Sequence, residues 1–559
     1  MNALRSTRGF AAKIVVPKRS YNIDRLSKVY IPSGGKIASK EDTSNDLLTR
    51  AGYIRSSHSG LTQMLPLGLM VQKNIENLVH KHMKLIGGSE VSLCLLSPAE
   101  LWQKTGRFDN DEVFKLQDFH GSGYVLSPTH EEEITNLIKS DVVSYRSLPV
   151  RTYQIGRKFR DEKRPRGGLL RGKEFIMKDM YTFDRTKEEA LKTYDNVVDA
   201  YNELFHEIGV RFVQAQAHSG DIGGNKSHEF HFLNDHGSDT ILTCTNLDDC
   251  GYAANIEVAK PGIDEKNRVH FDESAGDHIE FSVSKDGLTL YEIYIPRNRS
   301  FNRLSLNTDI FPDIDPTMNS SKQALHKYKT SESQGANVEK QTIRVIDSHI
   351  EMTSVAFNGS PITIINATLA IPNDPCPVCA TSHLQESNAI EIGHTFYLGT
   401  KYSKPLSATY VPPSGKSAID IEMGCFGIGI TRLIAAITEA KRDSAGLVWP
   451  RIIAPWEIVL IAKNNVFKDL DGGADKLGKE LTNKLQKQGL RVVFDDREDK
   501  SLGWKLKDSK LLGFPVTIIV NENYLTNGTV EVQWRESGEK ESIVLVDENG
   551  NVNEKLLNF

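Results

Sequence analysis

Six cysteines are spread over 559 residues. That is too few for a disulfide scaffold, so a reducing compartment is expected. No run of about 18 apolar residues occurs, so no membrane-spanning helix is expected. Excess positive charge is missing too. Sixty-eight Lys+Arg stand against 73 Asp+Glu, a net charge of -5, so any contact with a polyanion needs local basic patches. Internal repeats are not evident. Acids are missing from the start of the chain: none precedes Asp24, whereas Arg5, Arg8, Lys13, Lys18 and Arg19 do. An Arg-rich, Ser-containing, acid-free start has the composition of an organelle transit peptide. RGF and RSY each place an arginine two residues before an aromatic, in the manner of matrix cleavage sites. Residues 1–20 are read as a mitochondrial targeting segment, with the matrix as destination. The alternative is a disordered basic tail.

What is present reads as globular: 39% of residues are hydrophobic and 25% charged. The length predicts two to four domains. Residues 67–86 carry Leu67, Met70, Val71, Ile75, Leu78, Val79 and Met83 at helical spacing, after a Pro66 that suits a helix start. GSGYVLSPTHEEEITNLI reads as strand, turn and helix. TYQIGRKFR and EFIMKDMYTF read as the arms of a hairpin, and KEEALKTYDNVVDAYNELFHEIG as an amphipathic helix ended by Gly209. Residues 260–390 change character, and 319–342 within them are polar enough to read as a loose loop. Their flanks, TLYEIYIP and PITIINATLAI, still read as strands. SAIDIEMG then reads as a strand, and GIGITRLIAAITEA as a glycine turn opening a helix. The C-terminal run alternates β-α-β-α-β, which predicts an α/β domain with a largely parallel sheet.

Three stretches carry candidate chemistry. The hairpin tip FRDEKRPRGGLLRGKEF gathers six basic residues. Arg160 can grip a phosphate with two parallel hydrogen bonds, and Glu162 can accept from a base amine or a ribose hydroxyl. Arg171 can reach a second phosphate, and Phe175 with Met177 offers a flat surface for a ring. Lys163, Arg164, Arg166 and Lys173 remain for a nucleic-acid backbone. A solvated charged tip is the alternative. In SPTHEEE, Thr129 and Glu131 set a hydroxyl beside a carboxylate, which suits a substrate ammonium; the alternative is a plain helix cap. In MGCFGIGITR, Arg432 at a helix N-terminus makes an anion site.

Taken together with GLTQMLPLGLMVQKNIENLV, GDIGGNKSHEFHF, GYAANIE, IGHTFYLGTKYS and LVWPRIIAPWEIVLIA, these stretches resemble the prolyl-tRNA synthetases of bacterial type, a family of class II aminoacyl-tRNA synthetases. The resemblance implies an α+β fold: a class II catalytic domain on an antiparallel sheet, an inserted α+β domain, and a C-terminal α/β anticodon-binding domain. The expected bounds are 21–259 and 391–446 for the two catalytic parts, 260–390 for the insertion and 447–559 for the last domain. It implies ATP-dependent activation of L-proline, with Mg²⁺, and transfer to the 3′ end of tRNA(Pro) in mitochondrial translation by a homodimer that does not bind membranes. Arg160 and Arg432 are the implied catalytic residues. Arg160 would hold the α-phosphate, Glu162 the adenine side, Phe175 the adenine ring, and Arg171 with Arg432 the outer phosphates. Thr129 and Glu131 would hold the proline ammonium, and His228, Met177 and Cys425 would line the proline pocket beside Arg160. Lys163, Arg164, Arg166 and Lys173 would meet the tRNA acceptor end.

Other features stand apart. Asp496, Arg497 and Lys505 are candidates for anticodon contact, or are solvated loop charges. Cys376 and Cys379 form a CxxC, and Cys244 and Cys250 flank the insertion on its other side; together they are candidate zinc ligands, or the CxxC is a bare turn. Cys94 is read as core. Glu229 is either metal-linked or structural. A catalytically inactive, tRNA-binding regulator is the alternative to the enzyme, and its mark would be lost motif residues; Arg160, Glu162, Thr129, Glu131 and Arg432 are all present. The insertion spans only about 130 residues, shorter than the family's editing domain, with no placeable editing lysine. Editing is therefore expected to be weak or absent, and alanyl-tRNA(Pro) mixed with the purified protein should deacylate at the spontaneous rate; rapid hydrolysis contradicts this.

Overall fold

The computed structural model describes residues 24–559 except 34–37, 40, 225, 264–267, 307–309, 332–339, 356–358, 360, 416, 464–465, 468–471 and 548–549. The targeting segment read at 1–20 lies outside the described residues. The chain divides into two units, 38–453 and a second made of 454–559 with the N-terminal stretch before residue 38.

In the larger unit, Val150–Phe159, Glu174–Asp184, Glu422–Gly429 and Leu384–Gly399 pair in that order, all antiparallel, at the centre of a nine-stranded sheet among the described residues. Alternation of side chains gives this sheet two unlike faces. One is covered by the helix Lys187–Ile208, which starts where Thr186 accepts a hydrogen bond from the Glu189 amide and stops at Gly209, φ 79°. Its Tyr201 and Phe205 pack on Phe230, and Lys178 Nζ donates to the Tyr201 hydroxyl at 2.6 Å. The opposite face presents Phe175, Met177, Asp179 and Tyr181 to a cleft. The helix expected over 67–86 forms as Pro66–Leu85 and buries Leu67, Val71, Ile75, Leu78, Val79 and Met83, its apolar stripe.

The glycines of MGCFGIG make no turn. They lie inside the strand Glu422–Gly429, which runs directly into the helix Ile430–Lys441. Small size is what they supply: a Cβ on Gly424 would sit 2.8 Å from the Phe426 ring and from Thr182 Oγ1.

Among the described residues the inserted segment holds a four-stranded sheet in the order His278–Val283, Thr289–Ile295, Gln341–Asp347, Ile362–Ile365; the first pair is antiparallel and the others parallel. Tyr291, Ile293, Phe311 and Val345 pack on one face, and Tyr294, Ile346, Ile350 and Val355 on the other. The polar stretch read as a loop contains the helix Ser321–Thr330, capped by Ser320. Its single buried side chain, Ala324, left no apolar stripe to read in the sequence.

The smaller unit has the sheet order Val492–Phe494, Ile458–Ala462, Val516–Val520, Thr529–Trp534, Lys540–Val544. The first three strands are parallel, but the last two join antiparallel, so the sheet is mixed rather than largely parallel. Residues 24–33 also belong to this unit, not to the catalytic part where the sequence placed them. Arg25 bridges to Phe494 and ion-pairs with Asp475 and Asp496, and Ser33 donates to Asp508 at 2.7 Å.

Candidate active site

The cleft of the larger unit has a volume of about 420 Å³. Its floor is two neighbouring strands. Glu174–Asp184 contributes Phe175, Met177, Asp179 and Tyr181, every second residue; Glu422–Gly429 contributes Cys425, Gly427 and Gly429. A Cβ on Gly427 would come no nearer than 3.7 Å to Met177 Sδ, so glycine here leaves a flat floor.

Besides Arg107, described below, three guanidinium groups reach this cleft, two from the loop that joins the hairpin strands and one from a helix. Arg160 follows the first hairpin strand, and its guanidinium lies 5.2 Å over the Phe175 ring. Arg171 comes from the hairpin tip, and its Nε donates to Glu162 Oε2 at 2.6 Å. Arg432 stands in the first turn of the helix Ile430–Lys441; its Nε donates to the Leu170 carbonyl and its Nη1 pairs with Glu391 at 2.6 Å. Burial, and then the charge of Arg432, pull the Arg160 pKa down. Two cations held this close raise each other's energy until an anion arrives.

Thr129 and Glu131 face the cleft, both buried. The helix Glu131–Asp141 has His130 at its N-cap with no side-chain cap bond, so Thr129 is not a capping residue. A buried network fixes this corner. Lys158 Nζ pairs with Asp179 at 2.7 Å and meets His130 Nδ1 at 2.7 Å, and Gln154 donates to Asp179. Burial, then Lys158, push the His130 pKa down to about 4, so the imidazole is neutral at pH 7. Nδ1 therefore accepts from Lys158, and Nε2 donates to the Cys94 carbonyl at 3.0 Å. Cys94 itself is exposed rather than core.

Arg107, absent from the sequence reading, is central here. It donates to Thr129 Oγ1, Glu131 and Glu132 at 3.0–3.1 Å and lies between the Trp102 and Tyr402 rings. Burial pushes Glu131 up, but Arg107, Thr129 and the Cys425 thiol outweigh it and hold the carboxyl below its usual value. Burial and the neighbouring Glu131 push Glu132 up despite Arg107. In sequence Arg107 is one cation in GRFDN with no periodicity to mark it.

Glu391 and His394 were also missed. Strict alternation would put them on opposite faces of Leu384–Gly399. Phe230 pairs with Gly393 while His231 pairs with Glu391, so Ile392 is a bulge residue that turns both side chains to the cleft. Glu229, Glu391 and His394 present ligand atoms within 4.8 Å of one another. Burial would raise the Glu391 pKa, but Arg432 and His394 hold it well below the carboxylate range.

His228 is a correction. Alternation puts it on the helix-covered face beside Phe230, where Nδ1 meets the Tyr194 hydroxyl at 2.7 Å; it does not line the cleft, and its neighbour Glu229 does. The hairpin-tip cations stay on the surface: Lys163 pairs with Asp111, Lys173 pairs with Asp161, and Arg164 and Arg166 are exposed. The anticodon candidates are held by internal contacts. Arg497 forks onto Asp495 and Asp508, Asp496 accepts from Ser27 and Arg25, and buried Lys505 donates to the Asp495 carbonyl. These contacts hold the three groups within the smaller unit. Cys244, Cys250, Cys376 and Cys379 lie outside the cleft lining and converge on one another.

Two family models match. The tRNA synthetase class II core domain (G, H, P, S and T) covers residues 114–441, and the anticodon binding domain covers 458–548. A proline–tRNA ligase of Persephonella marina is 37% identical over 93% of this chain and 98% of its own length. The chain belongs to the prolyl-tRNA synthetase family. It is therefore a class II aminoacyl-tRNA synthetase, and the expected α+β fold with a class II core and an anticodon-binding domain is the one observed. Another member, the probable mitochondrial proline–tRNA ligase of Saccharomyces cerevisiae, is 36% identical over 90% of this chain and 88% of its own. The fold is also that of the Giardia lamblia prolyl-tRNA synthetase solved with prolyl-adenylate: TM-score 0.59, 17% identity, 91% of this chain and 76% of that one.

Arg107 gives a test of the carboxylate corner. Arg107→Ala leaves two buried carboxylates without their cation, a loss of about 3–5 kcal/mol in such cases. Glu131, with its lowered pKa, contributes stability above its unfolded value and loses it as pH falls. The variant's deficit in urea unfolding is therefore expected to be as large at pH 5 as at pH 7 and to shrink only as pH falls below about 4.5, the carboxyl's unfolded value; a variant as stable as the parent at pH 7 contradicts the assignment.

Proposed function

We propose that this chain is an active proline–tRNA ligase of mitochondrial translation. One observation carries the catalytic reading: Arg160, Arg171 and Arg432 line a single cleft beside Thr129 and Glu131. A triphosphate is the ligand that relieves three converging cations. In this reading Arg160 holds the α-phosphate and the carboxylate of proline, while Arg171 and Arg432 take the outer phosphates. Phe175 stacks on adenine and Glu162 accepts from its edge. A carboxylate has about four acceptor sites; Glu131 uses one for Arg107 and one for the Cys425 thiol, and can still accept the secondary ammonium. Met177 and Cys425 form the wall against the proline ring, and Lys163, Arg164, Arg166 and Lys173 take the acceptor stem.

The proline carboxylate attacks the α-phosphorus in line, forming prolyl-adenylate and releasing pyrophosphate. The 3′-hydroxyl of the terminal tRNA adenosine then attacks the activated carbonyl and releases AMP. The protein needs no nucleophile of its own. Its guanidinium groups neutralise charge as it builds on the phosphate, and its buried network keeps them in place. Glu229 and Glu391 are the oxygen donors that fit Mg²⁺. Asn255 and His231 orient Glu229. When bound, the ion would add to the neutralisation of phosphate charge.

ATP–pyrophosphate exchange with proline, threonine, alanine and cysteine tests this. Exchange is expected with proline foremost, and Arg160→Ala should lower it by roughly 10²–10³, by analogy with one lost oxyanion donor. No exchange with any amino acid would establish the inactive regulator; preference for another would change the substrate. The mitochondrial assignment rests on the acid-free basic N-terminus, with one mitochondrial relative in support. Residues 1–40 fused to a fluorescent protein are expected to carry it into mitochondria; a cytosolic signal refutes the assignment.

A further inference from the structure

Four cysteines come from two stretches that the inserted segment separates. Cys244 ends the strand Asp239–Cys244, and Cys250 ends the short helix Leu247–Cys250. Cys376 and Cys379 lie on a turn closed by the Ala380 amide donating to the Cys376 carbonyl at 3.0 Å, with Ala380 at φ 56°. Cys244 pairs in register with Leu384, so both stretches are fixed to adjacent strands of the catalytic sheet.

Cys244 Sγ lies 3.7 Å from Cys379 Sγ, and Cys250 Sγ lies 3.6 Å from Cys376 Sγ. All four sulfurs are within 4.8 Å of one another. A disulfide needs sulfurs about 2 Å apart, whereas a tetrahedral ion with bonds of about 2.3 Å sets them about 3.8 Å apart. The spacing is that of one centre shared by four sulfurs. Backbone amides are aimed at the same atoms: the Asn246 N–H donates to Cys244 Sγ at 3.4 Å, Tyr252 donates to Cys250, and Thr381 and Ser382 donate to Cys379. Amide donors around sulfur are what thiolate ligands require of their surroundings. Leu242, Tyr252, Ala370 and Leu384 pack around the cluster. Apolar packing alone gives no reason for four sulfurs to point at one centre or for amides to serve them.

The geometry points to a structural zinc site in which Zn²⁺ is held by Cys244, Cys250, Cys376 and Cys379. Each thiol gives up its proton on binding, four protons for one ion. Four protein ligands leave no open position, so the ion does no chemistry on substrate. Its role is to clasp the chain where the insertion leaves the catalytic sheet and where it returns, linking residues 126 and 135 positions apart. The sequence offered these four as candidate ligands, with a bare CxxC turn as the alternative; the structure brings their sulfurs to one point.

The test is metal content of the full chain, purified under reducing conditions with zinc supplied and then dialysed. One zinc per chain is expected, released in step with mercurial titration of the thiols. Cobalt in its place should give thiolate-to-cobalt charge-transfer absorption with tetrahedral d–d bands. Cys376→Ser and Cys379→Ser should each lower the zinc content, whereas Cys94→Ser, at an exposed position, should retain it. The parent protein decides the matter even if the site variants fail to fold. Less than a tenth of an equivalent of zinc in it, two disulfides among these cysteines, or iron in zinc's place would each overturn the proposal.

Discussion

Charge crowding around one cleft is the constraint on which the rest of the catalytic unit depends. Burial and then the charge of Arg432 lower the proton affinity of Arg160, and the fold must hold the two cations together against their repulsion. Glu391 offsets Arg432 and Glu162 offsets Arg171. Arg160 has no side-chain hydrogen bond among the described residues and lies on Phe175 instead. The cation left least compensated is the one placed where charge changes most in the proposed reaction. Preorganisation of this kind costs stability in the resting protein and lowers the barrier when charge develops.

The same logic, with signs reversed, governs the carboxylate corner of the cleft. Glu131 and Glu132 share the guanidinium of Arg107, and the segment that carries Thr129 is locked from beneath by Lys158, His130 and Asp179. In the proposed reaction an ammonium bound there would meet a carboxylate held below its usual pKa and already oriented. Rigid strands supply the precision. Arg160 is anchored by its amide donating to the Lys173 carbonyl, and the hairpin register carries Phe175 and Met177 to the floor.

Much of this was legible. The apolar stripes of Pro66–Leu85 and Lys187–Ile208 announced themselves through 3.6-residue spacing, and the hairpin through its flanking strands. Motif residues at the cleft were readable because each motif is local in sequence. Three failures share one cause. His228 and Glu229 are neighbours, and only the register of their strand decides which one faces the cleft. Glu391 and His394 share a face only because Ile392 bulges. Arg107 acquires its role from two glutamates that lie more than 20 residues away in the chain. In the smaller unit, Arg497 looked like a free loop cation until Asp495 and Asp508 closed on it.

The sequence by itself determined the family, the strongly periodic elements and three of the cleft's arginines, Arg160, Arg171 and Arg432, because composition and short-range spacing carry that information directly. Only the tertiary structure decided which faces point inward, which charges are already neutralised, and that four cysteines from both sides of a long insertion meet at one point. Those outcomes depend on strand register and on contacts between distant segments, and neither leaves a periodic trace along the chain.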